Sequence, residues 1–289
     1  MKLYQFTDAS QFYDRVKDYL LQSEARHCLM LGILDNLINS PELYNKNPYL
    51  ASVEIENKVV AVAVKTPPYK LVLSKISHWD ALEAIVQDLV NNEVIIPGVT
   101  SIAEEARAFA AIWQNLTSRS YRSGMKLRIH QLKTLKPIDR SKGYLRRAGE
   151  GDVSLLVDWY EAFSLEAIGK IEINALRFVE HHLRHNTIYL WEDKIPVSMV
   201  CCSRSTPNGK CISYVYTPPE YRRKGYATSC VAALSQHFLD RGYRYCFLFT
   251  DVANPTSNHI YQTIGYQPVG DWNEYIFVEK VINCGEISS

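Results

Sequence analysis

Tyr214-Val-Tyr-Thr-Pro-Pro-Glu-Tyr-Arg-Arg-Lys-Gly-Tyr-Ala-Thr228 runs from a β-type apolar segment into a basic, glycine-bearing turn that opens a helix. Such a turn suits a phosphate. The first main-chain N–H groups of a helix have no intrahelical acceptor, the aligned peptide dipoles add positive potential there, and Arg222, Arg223 and Lys224 add fixed charge. Gly225 lets the backbone approach a ligand closely. Taken alone, the run also fits a charged turn that stops an aggregation-prone strand, so its surroundings decide between the two readings.

Downstream, Ala227, Cys230, Val231, Leu234 and Phe238 recur at helical spacing, Gly242 follows as a C-terminal cap, and a second apolar strand covers 245–250. Strand, turn, helix and parallel strand make one right-handed crossover unit. The turn then lies at the carboxyl edge of a sheet, where ligands bind. A short helix with both ends marked comes next: Asn254 is placed to cap it, Pro255 takes its first position and Gly265 lies past its end. Ser257 and Tyr261 share one face of that helix, while Ile260 and Ile264 share another that can enter the core.

Arg222-x-x-Gly225-x-Ala227 after a strand, followed by a helix that begins at Asn254 and ends Tyr261-x-x-x-Gly265-Tyr266, resembles the coenzyme-binding region of the GNAT superfamily of N-acetyltransferases. The resemblance spans residues 143 to 279, with sharp motifs in 214–228 and 254–266. It implies acetyl-CoA as co-substrate, with the turn from Arg222 through Arg223, Lys224, Gly225, Tyr226 and Ala227 to Thr228 on the pyrophosphate. It also implies main-chain pairing of the pantetheine arm with Val215 and Thr217, and an N–H on the motif strand, at Tyr216, for the acetyl oxygen. Asn254 and Ser257 are implied as coenzyme contacts, although either residue type also serves as a simple cap. Tyr261 is implied as the donor of a proton to the departing thiolate. A phenol titrating near ~10 is still protonated at neutral pH, whereas a thiol titrates near ~8.5.

The acceptor amine must lose a proton before it attacks, and here the sequence departs from the family. The motif strand carries Ser213, Tyr214 and Tyr216 but no acid, which leaves Glu161 and Glu166 as carboxylate candidates for the base, beside the simpler reading of both as solvated helix charges. His181, His182 and His185 read as surface residues near a helix end.

Composition narrows the function class. The 289 residues carry 32 Lys and Arg against 31 Asp and Glu, a balance that gives no basic face for nucleic acid. No apolar stretch approaches the ~20 residues that span a bilayer, and the start lacks a signal-peptide core, so a cytoplasmic protein without membrane contact is expected. Seven cysteines show no paired metal spacing, and those at 28, 201, 202, 211, 230 and 246 read as small core residues, with neither a zinc site nor a disulfide framework expected.

The order of elements appears twice. The second half reads as a strand from Gly143, helices near Val153–Phe163 and Ile173–His182, a hairpin, the motif strand and crossover, the Tyr261 helix, and final strands at Tyr266–Val269 and Tyr275–Val278. The first half reads as helices over Gln11–Leu37, a hairpin turning at Glu56-Asn57, then Leu71–Ser74, an amphipathic helix, a strand at Val94–Ile96, a helix with Phe109 and Trp113, and alternating Met125, Leu127 and Ile129. Its turn at Lys75–Trp79 has no glycine, and its later helix has no tyrosine. The expectation is an α/β protein of two GNAT-like domains, each a mixed sheet flanked by helices. Residues 1–135 form a degenerate copy and 136–289 the catalytic domain, joined by a solvated linker at Lys133–Gly143. A chain starting near Lys142 would then carry the whole coenzyme site. The expected function is acetyl transfer to a primary amine on a small molecule or peptide; the alternative is a non-catalytic acyl-CoA-binding or scaffold protein.

Overall fold

The computed structural model describes residues 1–44, 47–171 and 173–278. The first half runs β1 (Lys2–Phe6), α1 (Ala9–Leu21), α2 (Glu24–Asn39), β2 (Tyr49–Ile55), β3 (Lys58–Lys65), β4 (Leu71–Leu73), α3 (Asp80–Asn91), β5 (Gly98–Ile102), α4 (Ala103–Thr117) and β6 (Tyr121–Leu132). The second runs β7 (Tyr144–Arg147), α5 (Val153–Ala167), α6 (Ala175–Arg184), β8 (Ile188–Asp193), β9 (Ile195–Thr206), β10 (Gly209–Tyr216), α7 (Tyr226–Leu239), β11 (Tyr245–Asp251), α8 (Pro255–Ile264) and β12 (Gln267–Phe277). Short 3-10 turns aside, the two halves have the same order of strands and helices, as the repeat in the sequence implies.

Local chemistry accounts for these elements. Asp8 caps α1 by accepting from the Gln11 N–H at 2.7 Å, and Phe12, Val16 and Leu20 then bury one stripe of that helix. Glu56 and Asn57 both take positive φ, the twist a tight two-residue hairpin needs, and β2 pairs with β3 across them. In β9, Met199 and Cys201 pack on the α5 and α6 side while Val200 and Cys202 pack on the α7 side, the period-two alternation of a strand buried on both faces. The cysteines at 28, 201, 202, 211, 230 and 246 are all free and buried, in keeping with their reading as core residues.

The chain divides into two compact units, Met1–Arg128 together with the described residues from Gly270, and Ile129–Val269. This differs at both joints from the expected 1–135 and 136–289. The reason lies in the strand order. In the first unit the neighbour of β5 is β12, antiparallel, with Trp272 opposite Ile102 and Ile276 opposite Gly98. In the second unit the neighbour of β11 is β6. Each unit is therefore completed by the last strand of the other half of the sequence. Trp272 is buried and its Nε1 donates to Thr100 Oγ1 at 2.5 Å, and Phe277 stacks on Trp113 at 5.1 Å between ring centroids.

Two further expectations change for the same reason. The segments 266–269 and 275–278 belong to one long strand, β12, with only Tyr266 and Val278 left outside it. The strand expected at Val94–Ile96 lies at Gly98–Ile102 instead. Ile95 is 76% exposed, Pro97 has no N–H for a ladder, and Gly98 sits so close to β12 that a Cβ there would come within 2.2 Å of the Tyr275 carbonyl oxygen. Periodicity alone does not register a partner strand that is supplied from the far end of the chain.

Cutting at residue 135 removes β12 from the first unit and β6 from the second. Residues 1–135 and 136–289, produced separately, are each expected to lack a cooperative unfolding transition by circular dichroism. A cooperatively folded 136–289 would overturn the exchange of strands.

Candidate active site

β10 and β11 run parallel, and their register pairs Gly209 with Tyr245, Lys210 with Cys246 and Cys211 with Phe247. Both strands continue, to Tyr216 and Asp251, with no further pair between them among the described residues. Past Cys211, then, β10 has an edge whose main-chain groups are not matched by β11. On its other side β10 pairs with β9, Ser213 opposite Cys201 and Tyr216 opposite Met199, so Tyr214 and Val215 together face one residue. This is a β-bulge, and Tyr214 carries it with φ of 51°. The Tyr216 carbonyl accepts from Ser198 Oγ on β9 at 3.0 Å, and Thr217 Oγ1 donates to the same Ser198 oxygen at 2.9 Å. Successive main-chain groups of a strand alternate in direction, so Val215 and Thr217 turn toward the open edge.

Beyond β10 comes the basic turn. Gly225 caps α7 with φ of 78°, and Arg223 has φ of 63°. Positive-φ residues flanking Lys224 give the kind of turn that gathers amide N–H groups into an anion-binding concavity, and no side chain caps the helix there. A Cβ on Gly225 would also come within 2.7 Å of Ser141 Oγ. The three cations are held differently. Arg222 donates through Nε to the Thr217 carbonyl at 2.8 Å and through Nη2 to Glu166 at 2.6 Å, and lies over the Tyr216 ring. Lys224 donates to the Glu220 carbonyl at 3.1 Å. Arg223 has no side-chain partner among the described residues. Tyr226 starts α7 with its hydroxyl donated to Asp193 at 2.7 Å, and Ala227 and Thr228 are half-buried in the first turn.

The segment Lys133–Gly143 is mostly exposed, as a solvated linker should be, and is tied down at a few points by hydrogen bonds. Ser141 donates its N–H to Ser229 Oγ at 2.8 Å and its hydroxyl to the Lys224 carbonyl at 2.6 Å, while the Lys136 N–H donates to the Ile264 carbonyl at 2.9 Å. One strap therefore ties the basic turn and the end of α8. Leu135 and Ile138, both half-buried, lean on the core on the way.

α8 begins as its sequence implies. Asn254 Oδ1 accepts from the Ser257 N–H at 3.0 Å, so this side chain is engaged as a cap, and Ser257 is half-buried. The residue that joins α8 to β11 is one the sequence reading missed: Asn258 accepts from Thr250 Oγ1 at 2.7 Å and donates to the carbonyls of Asp251 at 3.0 Å and Asn254 at 2.8 Å. Its only signal was an amide one turn after a capping Asn. Tyr261 is 8% exposed, packs edge-on to Tyr266 at 5.9 Å, and has its phenol pKa raised by burial. Gly265 ends the helix with φ of 116°.

Residues 154–266, which contain the open strand edge, the basic turn and α8, match the model of the Acetyltransferase (GNAT) family. This part of the chain is a GNAT acetyltransferase domain. A Drosophila protein of solved structure is similar to the chain with a TM-score of 0.69 at 13% identity, over 96% of this chain and 98% of that one. A GCN5-related N-acetyltransferase from Sphaerobacter thermophilus gives 0.61 at 12% identity over 94% of each. A tandem GNAT protein from the clavulanic acid biosynthesis pathway gives 0.54 at 11% identity over 95% and 98%. At these identities the likeness is one of fold. It agrees with two GNAT-like domains in one chain, and family and fold together support acyl transfer. No curated protein matches the sequence.

On the far side of the GNAT domain's sheet, α5 and α6 cover the bulge. Tyr214 packs against Phe178 at 4.6 Å, Phe163 at 5.5 Å and Tyr160 at 5.9 Å. Glu161 is exposed on α5, with no side-chain partner among the described residues. Glu166, near the end of α5, is paired with Arg222 and so faces the basic turn. His182 corrects the expectation of a surface residue: it is buried, shares a 2.6 Å hydrogen bond through Nδ1 with the Thr187 hydroxyl, and lies against Phe178 at 4.3 Å. Three histidines in five positions read as polar, but the helix turns the middle one into the core.

The first GNAT-like half is built differently at the corresponding place. β4 and β5 pair at Leu71–Val99 and Val72–Thr100, and Ser101 Oγ then donates to the Leu73 carbonyl at 3.0 Å, bridging the strands where β10 and β11 have parted. The turn after β4 buries Ile76, whose N–H donates to Glu105 of α4 at 3.4 Å, while Tyr19 donates to the Lys75 carbonyl at 2.6 Å.

Burial lowers His182 to about 3 and His27 to about 4, from 6.5. Below the unfolded value the unfolded chain takes up protons that the native imidazoles refuse, so stability is full above about pH 6.5 and falls as pH drops from there toward 3. His182→Gln is expected to make that fall shallower, read as urea midpoints across the window. An unchanged slope would show that His182 is not a buried neutral imidazole.

Proposed function

We propose that the chain is an acetyl-CoA-dependent N-acetyltransferase that moves an acetyl group to a primary amine by direct attack on the thioester. The observation that carries this reading is the parting of β10 from β11 beside the basic turn. It provides an unmatched strand edge for the pantetheine amides and unpaired helix amides for the pyrophosphate. In this reading Val215 and Thr217 pair with the pantetheine arm, and Arg222 through Thr228 surround the pyrophosphate. Ser257 lies along the coenzyme with Asn254 fixing the start of α8. The first half, its corresponding edge bridged by Ser101, supports the fold and binds no coenzyme.

The residues then act in sequence. The neutral amine attacks the carbonyl carbon, a C–N bond forms, and the carbonyl oxygen gains negative charge. The Val215 N–H is the better-placed donor for that oxygen, because the Tyr216 main chain is turned toward Ser198. As the C–S bond breaks, Tyr261 gives its proton to sulfur; burial keeps the phenol protonated until the thiolate forms. The amine's surplus proton leaves through water toward Glu161, the carboxylate of the two that is free of Arg222.

The decisive experiment is calorimetric titration of the purified chain with acetyl-CoA, followed by thiol release across a panel of primary amines. Saturable binding with turnover of an amine is expected; binding without turnover of any amine would favour a non-catalytic acyl-CoA-binding protein. Gly225→Ala places a Cβ at positive φ and against Ser141, and is expected to weaken acetyl-CoA binding by about tenfold or more while the chain still unfolds cooperatively. Tyr261→Phe keeps the ring packing and removes one hydroxyl. It is expected to lower kcat by about 10²-fold with coenzyme affinity nearly unchanged, and wild-type turnover would move proton donation elsewhere.

A further inference from the structure

Arg222 is the cation of the turn that reaches both the end of β10 and α5. Its Nε holds the Thr217 carbonyl at the end of β10, its plane lies 5.8 Å from the centre of the Tyr216 ring, and its Nη2 reaches 2.6 Å to Glu166 near the C-terminal end of α5. Thr217 is turned to the open edge of β10, so the guanidinium stands where that edge meets the basic turn. The carboxylate it holds is therefore an anion in the neighbourhood assigned above to the coenzyme's pyrophosphate. The pair is open to solvent, with side chains 39% and 58% exposed, and a pair so exposed is weakly held. A diphosphate carries more charge than a carboxylate and offers oxygens that match the guanidinium fork.

We propose that Glu166 is a stand-in for the coenzyme phosphate: its carboxylate occupies Arg222 in the coenzyme-free molecule and is exchanged for a pyrophosphate oxygen when acetyl-CoA binds. This rests on the coenzyme reading of the turn and adds to it a positioning residue outside the two motifs. Glu166 keeps Arg222 extended along the β10 edge when no phosphate is present, and opposes coenzyme binding by the work of displacing it. The exchange also frees the last turn of α5, the helix that covers the bulge, so the coenzyme's arrival is felt at that helix. No bond is made or broken; one charge-assisted hydrogen bond replaces another.

The test is a double-mutant cycle on the full chain, with acetyl-CoA affinity measured by calorimetry at low and high salt for wild type, Glu166→Gln, Arg222→Gln and the double variant. Glu166→Gln is expected to tighten binding about three- to tenfold at low salt, with the gain shrinking at high salt. In the Arg222→Gln background the same substitution is expected to change affinity by less than about twofold, since no guanidinium remains to be released. Hydrogen exchange at the end of α5 is expected to quicken when wild type binds acetyl-CoA and to be already quick in Glu166→Gln. Unchanged or weaker binding by Glu166→Gln overturns the exchange, as does an equal gain in both backgrounds, which would be general repulsion. In either case wild-type binding leaves the coenzyme reading standing. Absence of wild-type binding removes that reading and this proposal together.

Discussion

The failure of β10 and β11 to stay paired is the constraint on which the second unit's site depends. Two parallel strands buried between helices satisfy each other's N–H and C=O groups, and a main-chain group left unmatched in such a place is costly. Here the ladder stops at Cys211 and Phe247 while both strands continue. The bulge at Tyr214 and Val215 turns β10 away, Ser198 takes the Tyr216 carbonyl, and Arg222 takes the Thr217 carbonyl. What these devices leave open is a short, directional set of amide groups beside a helix N-terminus, a surface suited to a ligand that has amides at one end and phosphates at the other.

The contrast with the first half gives this constraint its meaning. The same order of elements exists there, and so does the same parallel pair, β4 with β5. A single serine hydroxyl bridges that pair where its counterpart opens, and the following turn puts Ile76 into the core where the other presents Gly225 outward. Two copies of one architecture thus differ in whether an edge has been left unsatisfied. The difference lies in a few side chains and not in the fold.

Much of this was legible in the sequence because it is local. The caps Asn254 and Gly265, the primed turn at Glu56 and Asn57, the helix after Gly225 and the burial of the cysteines each follow from a residue type and its near neighbours. What was not legible is long-range. The register of β5 depends on Trp272 and Tyr275, more than 170 positions away, so a run of apolar residues at Val94–Ile96 looked like the strand. The strap through Ser141, the Asn258 bridge and the Glu166–Arg222 pair all join segments through one to three hydrogen bonds, which leave no periodicity behind. His182 misled because three histidines at a helix end look solvated, and only the packing of α6 on Tyr214 shows which of them faces inward.

The exchanged last strands bear on the order in which the molecule can be made. A ribosome delivers β6 before the rest of the second unit, so the strand that will flank β11 is already waiting when β11 emerges. The first unit has no such luck: its β5 stays without its neighbour through the synthesis of the entire second unit, until β12 appears. Domains ordinarily finish in the order in which they are translated. In this chain the first unit to begin is the last to be completed, and a nascent chain stalled before residue 270 exposes a bare sheet edge in the half that carries none of the proposed chemistry.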